Sequence, residues 1–225
     1  MLRVGLTGDL GSGKSTVAKM FAERGAVVLS SDEMGRVMMQ PGQPVYAAIV
    51  ERFGNGVVAA DGSLDRRELA RLVFIEGRAE ELNAIVHPAV IGEQARQIAE
   101  LAHRNSDAIV VVESALIFTT KHAPGGEPWS KRFDCVVLVA APEAKKISRY
   151  VDRVAAGRTL SAEERGSLEA DARRRLATQT ANEEHAVECL VIRNDDGLEG
   201  LERQVGVIWD TLLQEASNAE RRPVS

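Results

Sequence analysis

Leu2-Arg3-Val4-Gly5-Leu6-Thr7-Gly8-Asp9-Leu10-Gly11-Ser12-Gly13-Lys14-Ser15-Thr16 is the stretch from which the fold can be read. Residues 2–7 are a short apolar run suited to a strand, and Thr16-Val17-Ala18-Lys19-Met20-Phe21-Ala22 has the apolar spacing of a helix. Between them, residues 8–15 fit the phosphate-binding pattern G-x-x-x-x-G-K-[ST] in its strand–loop–helix setting. Glycines allow the backbone to curl until successive N–H groups face an anion, and the following helix adds its free amides and the positive end of its dipole. The pattern predicts a nucleoside-triphosphate site built from Gly8, Gly11, Ser12, Gly13, Lys14, Ser15 and Thr16. Lys14 is expected on the β- and γ-phosphates and the Ser15 hydroxyl on Mg²⁺. The plain alternative is a glycine-rich turn ahead of an ordinary helix.

Working outward, the remaining chain alternates short strands with helices. Apolar runs at Ala26–Ser30, Ala108–Glu113, Asp134–Ala140 and Cys189–Ile192 supply four more strands. This is an α/β chain with a doubly wound, five-stranded parallel sheet. About seventy residues of helical pattern separate the second strand from the third, far beyond the usual βα connection, which predicts a helical substrate-facing insertion at about 33–105. Within it, Asp65 is placed to cap a helix, and His87-Pro88 is expected to interrupt another. A charged stretch after Gly157 predicts a lid at about 154–178, the whole forming one domain over 1–225. The last helix is expected to pack a stripe of Leu198, Leu201, Val205, Ile208 and Leu212, with a frayed tail from Asn218.

Composition narrows the class. The 225 residues are 44% apolar but only 4% aromatic, so the core must be aliphatic. A net charge of −5 argues against nucleic acid or an anionic membrane surface as the main partner. Cys135 and Cys189 sit in apolar runs and are expected to be buried free thiols. The chain opens directly on strand and loop and has no apolar run of membrane-spanning length, pointing to a cytoplasmic protein. Its sequence does not give the oligomeric state.

Ligands of such sheets lie beyond the carboxyl ends of the strands, which selects few side chains. Asp32, just past the second strand, is a candidate general base for an attacking hydroxyl, or a helix N-cap. Glu113, ending the third strand, is a candidate to hold Mg²⁺ through water, or a carboxylate satisfied by Ser114 or Thr7. Arg149 and Arg153, one helical turn apart, together with Arg158, could reach transferring phosphoryl oxygens from a closing lid or could form a solvated face. Arg173-Arg174-Arg175 reads as such a face. His87 reads as a capping or packing histidine or a functional one. No Asn-Lys-x-Asp string follows a strand, which disfavours a switch GTPase.

Several stretches together resemble the dephospho-CoA kinase family over nearly the whole chain. They are the opening Val4–Ala18 run, Ser31-Asp32, Gly54 with Asp61–Arg66, Leu82–Pro88, Arg174–Gln179 and Val191–Asn194. The resemblance implies ATP-dependent phosphorylation of the ribose 3′-hydroxyl of dephospho-CoA. It implies ATP on the loop with Asn194 nearby, Asp32 at the accepting hydroxyl, Arg149 and Arg153 on the lid side, and an insertion, His87 included, that grips the acceptor. The chain departs from the family pattern at Ala115–Thr119, Ser30, Arg193 and the 122–129 loop. Two alternatives therefore stand beside it: another phosphate-loop small-molecule kinase of nucleotide or shikimate type, and a catalytically weakened ATP- and CoA-binding relative.

Overall fold

A computed structural model describes residues 1–177 and 179–220. Thr178, within both the expected lid and the Arg174–Gln179 stretch, and residues 221–225 of the expected frayed tail lie outside the described residues. Five strands form one sheet in the order β2-β3-β1-β4-β5. They are β1 (Leu2–Thr7), β2 (Val27–Ser30), β3 (Ile109–Glu113), β4 (Cys135–Ala140) and β5 (Leu190–Arg193). β1 is central and parallel to both neighbours, with Val4 opposite Val111 on one side and Cys135 on the other. Sequential strands thus fan out from β1 in opposite directions, and the loop leaving β1 opens at the point where strand order reverses.

Helices α1 (Lys14–Glu23) and α10 (Gly197–Glu220) cover one face. Val17, Phe21, Leu201, Val205 and Leu212 interlock there with Val4, Leu6, Val111, Val137 and Ile192. Each fully buried side chain of that size contributes about 1.5–3 kcal/mol. The expected stripe on α10 holds except at Leu198, which is 66% exposed. Leu198 is the helix's second residue, in its first turn. The helix itself continues beyond Asn218 to Glu220.

The chain divides into two compact units. The first comprises residues 1–29, 101–119 and 129 onward, and contains the sheet. It also carries α6 (Trp129–Arg132), α7 (Glu143–Ala155), α8 (Ala162–Leu176) and α9 (Ala181–Glu184). Helix α7 turns Ile147, Tyr150 and Val151 onto Ala172 of α8. α8 is otherwise polar, starts on a capping box of Ser161 and Glu164, and carries Arg173, Arg174 and Arg175 paired with Glu169 or Asp171. The solvated arginine face expected there is what the structure has.

The second unit, residues 30–100 and 120–128, is helical. α2 (Ser31–Met38), α3 (Pro44–Phe53), α4 (Arg66–Phe74) and most of α5 (Ala79–Arg104) enclose Val45, Ile49, Val57, Leu69 and Leu72. Asp65 caps α4 as expected, accepting from the Arg67 and Glu68 amides. One expectation and one alternative reading fail here. His87-Pro88 does not interrupt α5, which runs unbroken for 26 residues with Pro88 inside. Proline costs an interior helix about 3 kcal/mol, and apolar contacts on both sides of it, Val86 and Ala89 in the cluster and Val90 buried, offset that. Nor does Asp32 cap α2. Ser30 does, accepting from the Glu33 amide, and Asp32 is in the first turn.

The two thiols are free, as expected, but half-buried rather than buried. Cys135 opens β4, and Cys189 stands just before β5. Burial still pushes Cys135 up to about 12 and Cys189 up to about 11.

Candidate functional site

The loop between β1 and α1 curls as its glycines allow. Gly8, Gly11 and Gly13 all have positive φ (150°, 72° and 100°). At all three a side chain would collide as well as strain: a Cβ on Gly8 would stand 2.4 Å from the Val139 carbonyl oxygen, one on Gly11 2.2 Å from the Lys146 carbonyl oxygen, and one on Gly13 2.2 Å from Asn194 Nδ2. The α1 amides begin at Lys14 with no side-chain cap on them, leaving the helix's positive end at the loop. Lys14 folds back over the curl, its Nζ donating to the carbonyls of Gly8 (2.6 Å) and Asp9 (3.1 Å). Among the described residues, the Ser12 Oγ is buried without a protein partner. Thr16 is exposed at the helix start.

Ser15 Oγ donates to Glu113 Oε1 at 2.7 Å. Neither partner that sequence offered Glu113 is used that way: Thr7 donates to Asn182, and the Ser114 hydroxyl accepts from the Leu116 amide. A hydroxyl and a carboxylate side by side are hard oxygen donors of the kind that suits Mg²⁺ arriving with phosphates.

Arg149 and Asn194 meet beneath the loop. The Arg149 guanidinium donates to the carbonyls of Gly11 (3.4 Å), Ser12 (3.3 Å) and Asn194 (3.2 Å), and to Asn194 Oδ1 (3.1 Å). Asn194, buried, donates its amide to the Ser12 carbonyl at 2.8 Å. Both side chains therefore shape the loop through its carbonyls. Arg153 differs from Arg149 one turn before it: it is exposed, with its guanidinium 5.8 Å from the Tyr150 ring centre. Arg158 is exposed in the α7–α8 connection.

A second set of residues grips the loop from behind, and sequence reasoning missed it. Asp9 Oδ1 accepts from Asn182 Nδ2 at 2.7 Å, and Asp9 Oδ2 pairs with Lys146 Nζ. Gln179 Oε1 accepts from the Leu10 amide at 2.8 Å. Asp9 and Asn182 are 173 positions apart in sequence, so nothing local signals the contact. Gln179 alone stood in a stretch already singled out.

In the second unit, Asp32 is exposed and has no hydrogen-bond or ion-pair partner among the described residues. His87 lies half-buried on α5, with Nδ1 3.3 Å from Thr120 Oγ1 and its ring 6.2 Å from that of His122. Burial, reinforced by the neighbouring His122, depresses its pKa, so it is a neutral imidazole at pH 7. No helix among the described residues is long and apolar enough to cross a membrane, and no group of three or more His, Cys, Asp or Glu side chains among them could hold a metal ion.

Residues 2–200 match the family described as dephospho-CoA kinase. The chain is 39% identical over 218 residues to the dephospho-CoA kinase of Streptomyces avermitilis, covering 96% of each. It is 35% identical over 228 residues to that of Mycolicibacterium paratuberculosis, matching the whole of this chain but only 51% of that longer protein. Among solved structures, TT1252 from Thermus thermophilus is 31% identical with a TM-score of 0.67, covering 94% of this chain and 97% of the other.

Proposed function

The chain belongs to the dephospho-CoA kinase family, and we propose that it transfers the γ-phosphoryl group of ATP to the ribose 3′-hydroxyl of dephospho-CoA, giving coenzyme A and ADP. The observation that carries this is the family match over residues 2–200, on a chain whose glycine loop and Lys14 sit at the switch point of the sheet.

In this reading the Gly8–Thr16 loop wraps the phosphates with its free amides, and Lys14 leaves the Gly8 and Asp9 carbonyls for the β- and γ-phosphates. The acceptor oxygen forms a bond to the γ-phosphorus as the bond to the β–γ bridging oxygen breaks, and ADP departs. Asp32 takes or orients the proton of the attacking hydroxyl. Three facts support this role: its place two residues past β2, its exposed carboxylate without a partner among the described residues, and the transfer of the capping job to Ser30. Ser15 directly and Glu113 through water would hold a Mg²⁺ ion, which offsets charge on the phosphates. Arg149 orients the loop, while Arg153, exposed beside the Tyr150 ring, is an arginine available to meet phosphoryl oxygens. The helical insertion at about 33–105 grips the acceptor, with neutral His87 as a hydrogen-bonding side chain on it. Residues 154–178 act as the lid of a single kinase domain working in the cytoplasm.

The test is direct: purified protein, Mg-ATP and dephospho-CoA, with coenzyme A followed by mass spectrometry. Coenzyme A formation is the expected result. Product only from another acceptor, such as a nucleoside monophosphate or shikimate, would identify a different small-molecule kinase. Tight ATP binding without transfer would identify a binding relative.

A further inference from the structure

A loop built to hold a polyanion is a poor place for a carboxylate, yet Asp9 lies inside it, only 8% exposed. Its placement explains the tolerance. Both oxygens face away from the curl, one on Asn182 and one on Lys146, whose side chains are also nearly buried. Asn182 in turn accepts from Thr7, the last residue of β1, so one amide spans the strand end and the loop. Beside it, Gln179 takes up the Leu10 amide, and the Ser12 amide turns inward onto the Asp9 carbonyl at 3.1 Å. These bonds decide which amides remain for phosphate. Gln179 and Asn182 both come from the short segment that follows the arginine-rich helix α8.

We propose that Gln179 and Asn182 act as positioning residues, a latch through which the segment after α8 sets the shape of the phosphate loop by way of Leu10 and Asp9, and so sets nucleotide affinity. The latch rests on the reading that this loop holds ATP. Its far side borders a cavity of about 380 Å³ lined by Asp9, Lys146, Asn182 and Glu183. Truncation there enlarges an existing space and leaves the aliphatic core intact.

The experiment uses the full chain and ATP itself. Asn182→Ala should weaken ATP binding, measured by calorimetry, by roughly tenfold, the equivalent of one lost hydrogen bond to a charged group. The KM for ATP should rise in parallel while the KM for dephospho-CoA stays put. Gln179→Ala, whose side chain is only half-buried, should shift ATP affinity in the same direction and carries the test should Asn182→Ala fail to fold. The loss of ATP affinity in the Asp9→Ala/Asn182→Ala double variant should be smaller than the sum of the two single losses, because the two variants share the Asp9–Asn182 bond. A purely structural role predicts another pattern: a lower kcat from lost active protein with both KM values unmoved. That pattern, or variants that bind ATP as the wild type does, overturns the latch and leaves the kinase assignment standing. A wild-type chain that binds no ATP overturns both.

Discussion

Replacing Gly13 by alanine should unfold much of this protein's margin of stability, and the structure allows the loss to be apportioned. Gly13 sits at φ 100° and ψ 19°, where an L-residue incurs about 1–2 kcal/mol. The new Cβ would stand 2.2 Å from Asn194 Nδ2, well inside the ~3.5 Å of ordinary contact, so Asn194 must move. Moving it breaks its bond to the Ser12 carbonyl (2.8 Å) and the bond it accepts from Arg149 (3.1 Å), in a buried site. At about 1–1.5 kcal/mol for each, and more where a group is left unsatisfied, the whole change costs about 3–6 kcal/mol. Stabilities of such domains are only about 5–15 kcal/mol, so the effect is large. Urea unfolding of wild type, Gly13→Ala, Asn194→Ala and the double variant separates the parts. With Asn194 truncated the collision is gone, and Gly13→Ala should then cost only the backbone strain of about 1–2 kcal/mol. Equal costs in both backgrounds would refute the argument, as would a wild-type cost below about 1 kcal/mol.

Lys14→Ala should weaken ATP binding and reduce transfer by about 10³-fold, the scale on which preorganised charge acts in phosphoryl transfer, and normal turnover would remove Lys14 from the site. Asp32→Asn should lower kcat by about 10²–10⁴-fold with ATP affinity near normal, and an unchanged kcat would reduce Asp32 to a first-turn acid. His87 has a lowered pKa in the fold, so the unfolded chain binds more protons in the window below its ordinary value of 6.5. The stability it contributes is therefore complete above pH 6.5 and is lost as the pH falls through the folded pKa. Thermal melts at pH 7.5 and 5.5 should show a smaller acid loss for His87→Gln than for wild type, and identical losses would contradict the assignment. Cys135 and Cys189, held near pKa 12 and 11, should react with a thiol reagent at pH 7.5 far more slowly in native than in denatured protein, whereas fast native labelling would show that burial does not suppress the thiolates.

What could be read from sequence was what is decided locally. The β1–loop–α1 unit, the remaining strands and the Asp65 cap follow from period, glycine placement and capping chemistry within a few residues. What escaped was decided by distant packing. Pro88 looks like a break because its local cost is real, and only the contacts of Val86, Ala89 and Val90 let the helix pass through it. Ser30 and Asp32 compete for one cap, and the entry angle of the chain gives it to Ser30. The triphosphate side was visible as letters, whereas the Asp9–Asn182 and Asn194–Ser12 contacts behind it join residues 173 and 182 positions apart. Arg149 and Arg153 share a helical face by spacing, yet one is locked to carbonyls and the other lies along a ring, a difference no periodicity encodes.

The loop knotted by Arg149, Gln179, Asn182 and Asn194 also has a history in time. Its residues leave the ribosome well before the side chains of Arg149, Gln179, Asn182 and Asn194, each of which is made at least 130 residues later. At a synthesis rate of about 5–20 residues per second, the glycine-rich stretch waits on the order of ten seconds for its partners. During that wait the loop has its flexible backbone without the carbonyl and amide contacts that form it. Nucleotide capture is therefore a late event in the life of each chain, and an N-terminal fragment ending before β4 would carry the whole phosphate-binding motif without a formed phosphate site.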